Sequence, residues 1–134
     1  MEASELGKWY NEKSFMDVIK EIDMKTAIIY VSVHHGNTKK LVDAIASKYE
    51  VDVIDATKIT EKDLHSYDLI GFASGIYGFN FHQSILNFAL ANMPENKKVI
   101  LLSSSAMNKD FSGSLVKIIK DKNSEVIGKF SCRG

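Results

Sequence analysis

The sequence has a single cysteine, Cys132, and a single proline, Pro94, among its 134 residues. One cysteine excludes a disulfide within the chain and is typical of proteins in a reducing compartment. No apolar run approaches the roughly 20 residues that a membrane-spanning helix needs. The charged N-terminus also lacks the apolar core of a signal peptide. These absences predict a cytoplasmic protein without a membrane partner.

The chain also lacks an excess of charge of either sign, since 17 basic residues balance 17 acidic residues. Proteins that bind nucleic acids normally carry a basic surplus that neutralises phosphates. The balance therefore argues against nucleic acid as a partner. A chain of this length is expected to form one domain that buries a sizeable core without help from metals or disulfides.

Apolar runs typical of strands alternate with segments that have helical spacing of apolar residues. Short helical crossovers between strands require a parallel sheet with right-handed connections. The sequence therefore predicts an α/β doubly wound sheet. The predicted strands are residues 26–33, 51–55, 67–74, 99–102 and 125–130.

The first strand leads into a short polar loop and then a helix, and this junction has the features of an anion site. The first backbone N–H groups of a helix have no partner within it and carry the positive end of its dipole. Asn37 and Thr38 add side-chain donors, and Gly36 lets the backbone approach a ligand closely. A phosphate is the expected anion. Such a turn can also serve only to cap a helix, so the pattern leaves both interpretations open.

The motif Val-His-His-Gly-Asn-Thr at residues 33–38 resembles the phosphate loop of the flavodoxin family. In that family a Ser/Thr-x-Thr-Gly-Asn-Thr loop wraps the phosphate of FMN, and the His-His form resembles one branch of small flavodoxin-like proteins. Gly36, Asn37 and Thr38 match the motif, whereas His34 and His35 stand where hydroxyl residues are usual. The resemblance covers residues 24–134 and implies a flavodoxin-like five-stranded sheet in the order 2-1-3-4-5.

The resemblance also implies which residues hold FMN, because the loops after the first, third and fourth strands meet at one edge of such a sheet. In the family the second of these loops supplies an aromatic residue that stacks on the flavin ring. Tyr77 matches that role best and Phe79 second. The implied cofactor-binding residues are Ser32, His34, His35, Gly36, Asn37 and Thr38 in the first loop, Gly75, Ile76, Tyr77, Gly78 and Phe79 in the second, and Ser103, Ser104, Ser105 and Asn108 in the third.

Other interpretations of these residues remain open. Tyr77 and Phe79 could instead pack against the sheet edge. His34, His35 and His82 could bind a metal, although three imidazoles without carboxylate or thiolate support are a weak case. No catalytic residue and no metal ligand are predicted.

The function that the resemblance implies is electron transfer through noncovalently bound FMN, with redox partner proteins and a monomeric or homodimeric state. The chain is expected to be an electron carrier rather than a stand-alone enzyme. Two alternatives are an FMN-dependent NAD(P)H or quinone-type oxidoreductase and a flavodoxin-like domain that has lost FMN binding.

Both ends of the chain depart from the family pattern. Residues 1–23 precede the usual start, and Phe15, Val18, Ile19 and Ile22 fall on one face of a predicted helix. The final helix that follows the last strand in the family is missing. We therefore expect an N-terminal helical extension, residues 1–23, packed on a flavodoxin-like domain, residues 24–134. In this hypothesis residues 3–22 replace the missing C-terminal helix.

Overall fold

The computed structural model describes residues 9–10, 24–33, 37–104 and 110–132. None of the helices in these ranges is long and apolar enough to cross a membrane. The strands are β1 (Trp9–Tyr10), β2 (Thr26–Val31), β3 (Val51–Asp55), β4 (Leu69–Tyr77), β5 (Asn80–Phe81), β6 (Lys98–Ser104) and β7 (Glu125–Cys132). The helices are α1 (Asn37–Lys48), α2 (Gln83–Asn92) and α3 (Gly113–Asp121).

Six of the strands form one parallel sheet in the order β3-β2-β4-β6-β7-β1. Its five longer strands follow the predicted order 2-1-3-4-5. The prediction of five strands was too few, because β1 extends the sheet beyond β7 and β5 pairs antiparallel with the end of β4. The parallel α/β class is confirmed.

The central strands are almost continuously apolar because helices cover both faces of the sheet. On one face, α1 packs its Leu41 and Ile45 against a buried cluster that includes Ile28 and Leu102. On the other face, α2 and α3 pack Ile85 and Ile119, among others, against a second cluster that contains Ile29, Phe72 and Leu101. We call these the α1 face and the α2/α3 face.

The N-terminal segment differs from its prediction where the structure describes it. Trp9 and Tyr10, expected within a helix, form β1 and pair in parallel with Lys129 and Phe130 of β7. Aromatic residues favour strands, and the outer edge of β7 offers unpaired backbone groups that a strand can use. The remaining residues of the predicted extension, 1–8 and 11–23, lie outside the described ranges.

The last strand contains an irregularity that brings an aromatic ring over a glycine. Val99 pairs with Val126 but Ile100 pairs with Gly128, so one residue of β7 is extra. A Cβ on Gly128 would lie 2.6 and 2.8 Å from two carbons of the Phe130 ring. Phe130 is 2% exposed and belongs to the cluster on the α1 face. Because Gly128 has no side chain, the Phe130 ring can pack in the core at this position.

Gly128→Ala should lower the free energy of unfolding by about 1–3 kcal/mol, because the Phe130 ring must leave its packed position. Gly113→Ala is the matched control, since a Cβ on Gly113 would meet no atom within 4 Å and alanine favours a helix. Urea unfolding of both variants measures the difference. Equal stability of the two variants would contradict this packing.

Removal of residues 1–10 should lower the melting temperature by about 3–6 °C, because β7 loses its hydrogen-bonded neighbour. A chain lacking only residues 1–6 retains β1 and serves as the control. Thermal unfolding followed by circular dichroism compares the three chains. If the chain lacking residues 1–10 had the same melting temperature as the full chain, β1 would contribute nothing to stability.

Candidate functional site

The carboxyl ends of three neighbouring strands meet at one edge of the sheet. Val31 of β2 pairs with Ser74 of β4. Ser74 and Gly75 in turn pair with Ser103 and Ser104 of β6. The segments that follow these strands therefore begin side by side, as expected for a ligand site at the switch point of a parallel sheet.

Hydroxyl groups connect the first of these segments to the third. The backbone N–H of Lys39, in the first turn of α1, donates to Ser32 Oγ at 3.1 Å. The Thr38 and Ser104 hydroxyls hydrogen-bond to each other at 2.9 Å. Thr38 is only 3% exposed. The start of α1 is thereby held against the end of β6, although the two residues are 66 positions apart in the chain.

Strand alternation divides the predicted site residues between the two faces of the sheet. Gly75 and Tyr77 follow Ala73 on the α1 face, and Ser104 follows Leu102 there. Ile76 packs against the cluster on the α2/α3 face, and Ser103 alternates toward that face and is 4% exposed. The α1 face therefore brings Gly75, Tyr77 and Ser104 together with Thr38. Ile76 and Ser103 contribute their side chains to the opposite side.

The second predicted loop is in fact the end of a strand followed by a tight hairpin. β4 continues through Tyr77, and Gly78 and Phe79 connect it to β5 with φ angles of 57° and 64°. Positive φ at both central residues of a two-residue connection is typical of the turns that join antiparallel strands. Phe79 is 70% exposed at the tip, and its ring centroid lies 5.7 Å from that of Phe111.

A side-chain hydrogen bond also fastens the hairpin to α3. Ser114 Oγ donates to Asn80 Oδ1 at 3.1 Å. The Phe79 and Phe111 rings meet in the same region, immediately before α3 begins. The hairpin tip is thus an exposed aromatic rim next to the ends of β4 and β6.

Tyr77, predicted to stack on a ligand ring, folds back along its own strand. A Cβ on Gly75 would lie 3.2 Å from Tyr77 Oη and 3.3 Å from a carbon of its ring. The ring also meets His82 edge to face, with centroids 5.0 Å apart and an angle of 83° between the ring planes. Glycine at position 75 leaves the space that the tyrosine ring occupies.

The third predicted loop begins with Ser103 and Ser104 as the last residues of β6. The described chain resumes at Asp110, whose carboxylate receives hydrogen bonds from Ser112 N–H at 2.9 Å and from the Ser112 hydroxyl. Lys129 Nζ lies 2.5 Å from the same carboxylate. Burial opposes ionisation of Asp110, but Lys129 and Ser112 outweigh it and hold the pKa of Asp110 below its usual value.

Several predicted site residues lie outside the described ranges. These are His34, His35 and Gly36 in the first loop, and Ser105 and Asn108 in the third. Asn37 is the first residue of α1. In the described ranges, no group of three or more histidine, cysteine, aspartate and glutamate side chains is arranged to hold a metal ion.

The sequence did not predict the structural roles of two residues near the candidate site. Ser74 is fully buried, and its hydroxyl accepts a hydrogen bond from the backbone N–H of His82. His82 in turn contacts the Tyr77 ring and caps α2. Histidine is not among the favoured N-cap residues, so position 82 gave no capping signal. Ser74 is the last residue of the apolar run at 67–74 and was predicted only as part of that strand.

The flavodoxin domain family matches this chain over residues 27–128. The chain belongs to this family. The match includes all five longer strands and the three described helices, apart from the residues at the two ends.

Relatives of this flavodoxin domain include an uncharacterized protein of Methanocaldococcus jannaschii. The two chains are 36% identical over 114 residues, which cover 83% of this chain and 76% of the relative. Oxidised Flavodoxin 1 from Bacillus cereus has a similar structure, with a TM-score of 0.60 and 19% identity over 82% of this chain and 86% of that one. A flavoprotein in complex with FMN from Lactobacillus acidophilus gives a TM-score of 0.59 and 20% identity over 81% and 93% of the two chains. At such low identity, the similarity to the two solved structures establishes the fold alone.

Asp110→Asn should destabilise this flavodoxin domain by about 1 kcal/mol near pH 7, a modest value because the carboxylate is partly exposed and screened. The pKa of Asp110 is lowered in the folded state, so its stabilisation is complete above the unfolded value of about 3.9. It is lost as the pH falls through the lower folded-state pKa. The difference between parent and variant should therefore shrink as the pH falls below the unfolded value of about 3.9.

Urea unfolding at a series of pH values measures this difference. Asp121→Asn, an exposed aspartate at the end of α3, is the control for the same charge change and should stay within about 0.5 kcal/mol of the parent. A destabilisation by Asp110→Asn that is equal at neutral and acidic pH would contradict a role for the charge of Asp110.

Proposed function

We propose that this protein is a flavodoxin-like electron carrier that binds FMN noncovalently at the α1 face of the sheet edge. The observation that carries the proposal is the meeting of Thr38 and Ser104 hydroxyls at the start of α1, on the same face as Tyr77. A hydroxyl pair at a helix start and an aromatic ring on one face of the sheet edge support a phosphate site beside a ring surface. FMN has a phosphate at one end and a planar ring system at the other.

The start of α1 suits the phosphate of FMN in charge as well as in hydrogen bonding. Its first turn contains no acidic residue, so no carboxylate opposes the attraction between the helix N-terminus and an anion. Lys39 and Lys40 lie in the same turn, and Lys39 forms an exposed ion pair with Asp43 at 2.7 Å. Thr38, Ser32 and the backbone N–H groups of this turn would hold the phosphate.

Tyr77 is the residue that would lie against the flavin ring, with Phe79 at the hairpin rim as a second contact. FMN would supply the electron-transfer chemistry, and the protein would bind and orient it and tune its potential. The FMN complex of the Lactobacillus acidophilus flavoprotein, which shares this fold, supports FMN as the cofactor.

Redox partner proteins are the proposed partners. The protein has no net charge, so long-range steering by opposite charge would contribute little to encounter. The exposed Phe79 and its neighbour Phe111 would give a partner an apolar surface beside the ring.

The first experiment is a visible absorption spectrum after incubation with excess FMN and removal of unbound flavin. A retained flavin band close to one FMN per chain is expected. A colourless protein that is still folded by circular dichroism would overturn the proposal and favour a flavodoxin-like domain without FMN. Sustained oxidation of NAD(P)H by the loaded protein would favour the oxidoreductase alternative.

Thr38→Val should weaken FMN binding by about tenfold or more, because it removes a hydroxyl next to a charged phosphate. Ser47→Ala is the matched control on the same helix, since Ser47 Oγ donates to the Ala44 carbonyl near the far end of α1. Quenching of FMN fluorescence on titration gives both dissociation constants. Equal affinities of the two variants would exclude Thr38 from the phosphate site.

A further inference from the structure

Three of the contacts that His82 makes join α2, β4 and the ring of Tyr77. Its backbone N–H donates to Ser74 Oγ at 3.0 Å. Its Nδ1 accepts the backbone N–H of Ser84 at 3.0 Å and so caps α2. Its ring meets Tyr77 edge to face. Because Nδ1 accepts a hydrogen bond from a backbone N–H, this bond assigns the ring proton to Nε2.

His82 is held once through its backbone and once through its ring, which together fix where the ring lies. Ser74 is fully buried, and its hydroxyl donates to the Gly75 carbonyl at 2.6 Å while accepting from His82. The cap bond to Ser84 ties the same residue to the first turn of α2. His82 is therefore anchored to the interior of the sheet and to a helix at once.

The backbone of Tyr77 pairs with Asn80 across the hairpin, and its ring has described neighbours on two sides. Its ring is bounded by Gly75, which has no side chain, and by the edge-to-face contact with His82. Edge-to-face pairs have a preferred geometry and contribute beyond the area they bury. The fixed imidazole therefore selects one position of the tyrosine ring on the α1 face.

We propose that His82 is a positioning residue that sets the Tyr77 ring for contact with the planar ring of the ligand. This inference rests on the proposed function, because it assigns Tyr77 to the flavin. His82 has two separable parts in this account. The imidazole Nδ1 caps α2, and the flat aromatic ring contacts Tyr77.

Two substitutions separate the cap from the ring. His82→Asn retains an N-cap acceptor, since asparagine is a preferred N-cap residue, but removes the aromatic edge. His82→Phe retains a ring and removes the acceptor. If the ring positions Tyr77, the asparagine variant should melt close to the parent yet bind FMN about three- to tenfold more weakly. The phenylalanine variant should melt lower and restore the affinity.

A second readout does not depend on FMN. The near-ultraviolet circular dichroism of the protein without flavin reports the environment of its tyrosines, and a Tyr77→Phe variant identifies the part that comes from Tyr77. His82→Asn should change this part of the spectrum, whereas His82→Phe should leave more of it in place. This measurement tests the positioning of Tyr77 even if the parent fails to bind FMN.

The outcomes separate the two proposals. A parent that binds no FMN, with a Tyr77 signal that still depends on the ring at position 82, overturns the proposed function and leaves the positioning role. A parent that binds FMN, with unchanged affinity and unchanged Tyr77 signal in His82→Asn, overturns the positioning role. Weakening in His82→Phe but not in His82→Asn assigns the effect to the helix cap. Equal weakening by both variants shows that a ring at position 82 is not sufficient. Either result also overturns the positioning role.

Discussion

Parallel pairing of β2, β4 and β6 is the constraint on which the rest of this site depends. Parallel strands place all their carboxyl ends at one edge of the sheet. The register that pairs Val31 with Ser74 and Gly75 with Ser104 then brings segments far apart in sequence into contact. The Thr38–Ser104 hydrogen bond, the fold of Tyr77 over Gly75 and the position of the hairpin all follow from this register.

Small residues and hydroxyls at the ends of these strands shape the candidate site at the shared edge. Gly75 leaves room for an aromatic ring, and Ser74 supplies a buried hydroxyl that satisfies two backbone groups. A buried hydroxyl is stable only when it is hydrogen-bonded, so Ser74 joins the end of β4 to the start of α2. The same principle applies to Thr38, which is buried and paired with Ser104.

Much of the architecture was predictable from local patterns. Apolar runs and apolar alternation predicted the five longer strands, and their alternation with helical spacing predicted parallel pairing with right-handed connections. The strand order 2-1-3-4-5 came from the resemblance to the flavodoxin family. The strand β1 was not predictable, since a two-residue strand has no periodicity and Trp9–Tyr10 pairs with residues 120 positions away. The hairpin at Gly78 and Phe79 was predicted as a loop, because Phe79 is an unusual residue at positive φ.

The sequence by itself determined the alternation of the five longer strands with helices, because neighbouring residues decide periodicity. Only the tertiary structure decided which predicted site residues share a face. Ile76 and Ser103 alternate away from Tyr77 and Ser104, and this depends on where β4 and β6 end. The roles of Ser74 and His82 likewise arise from contacts across the hairpin, which spacing along one strand or helix does not encode.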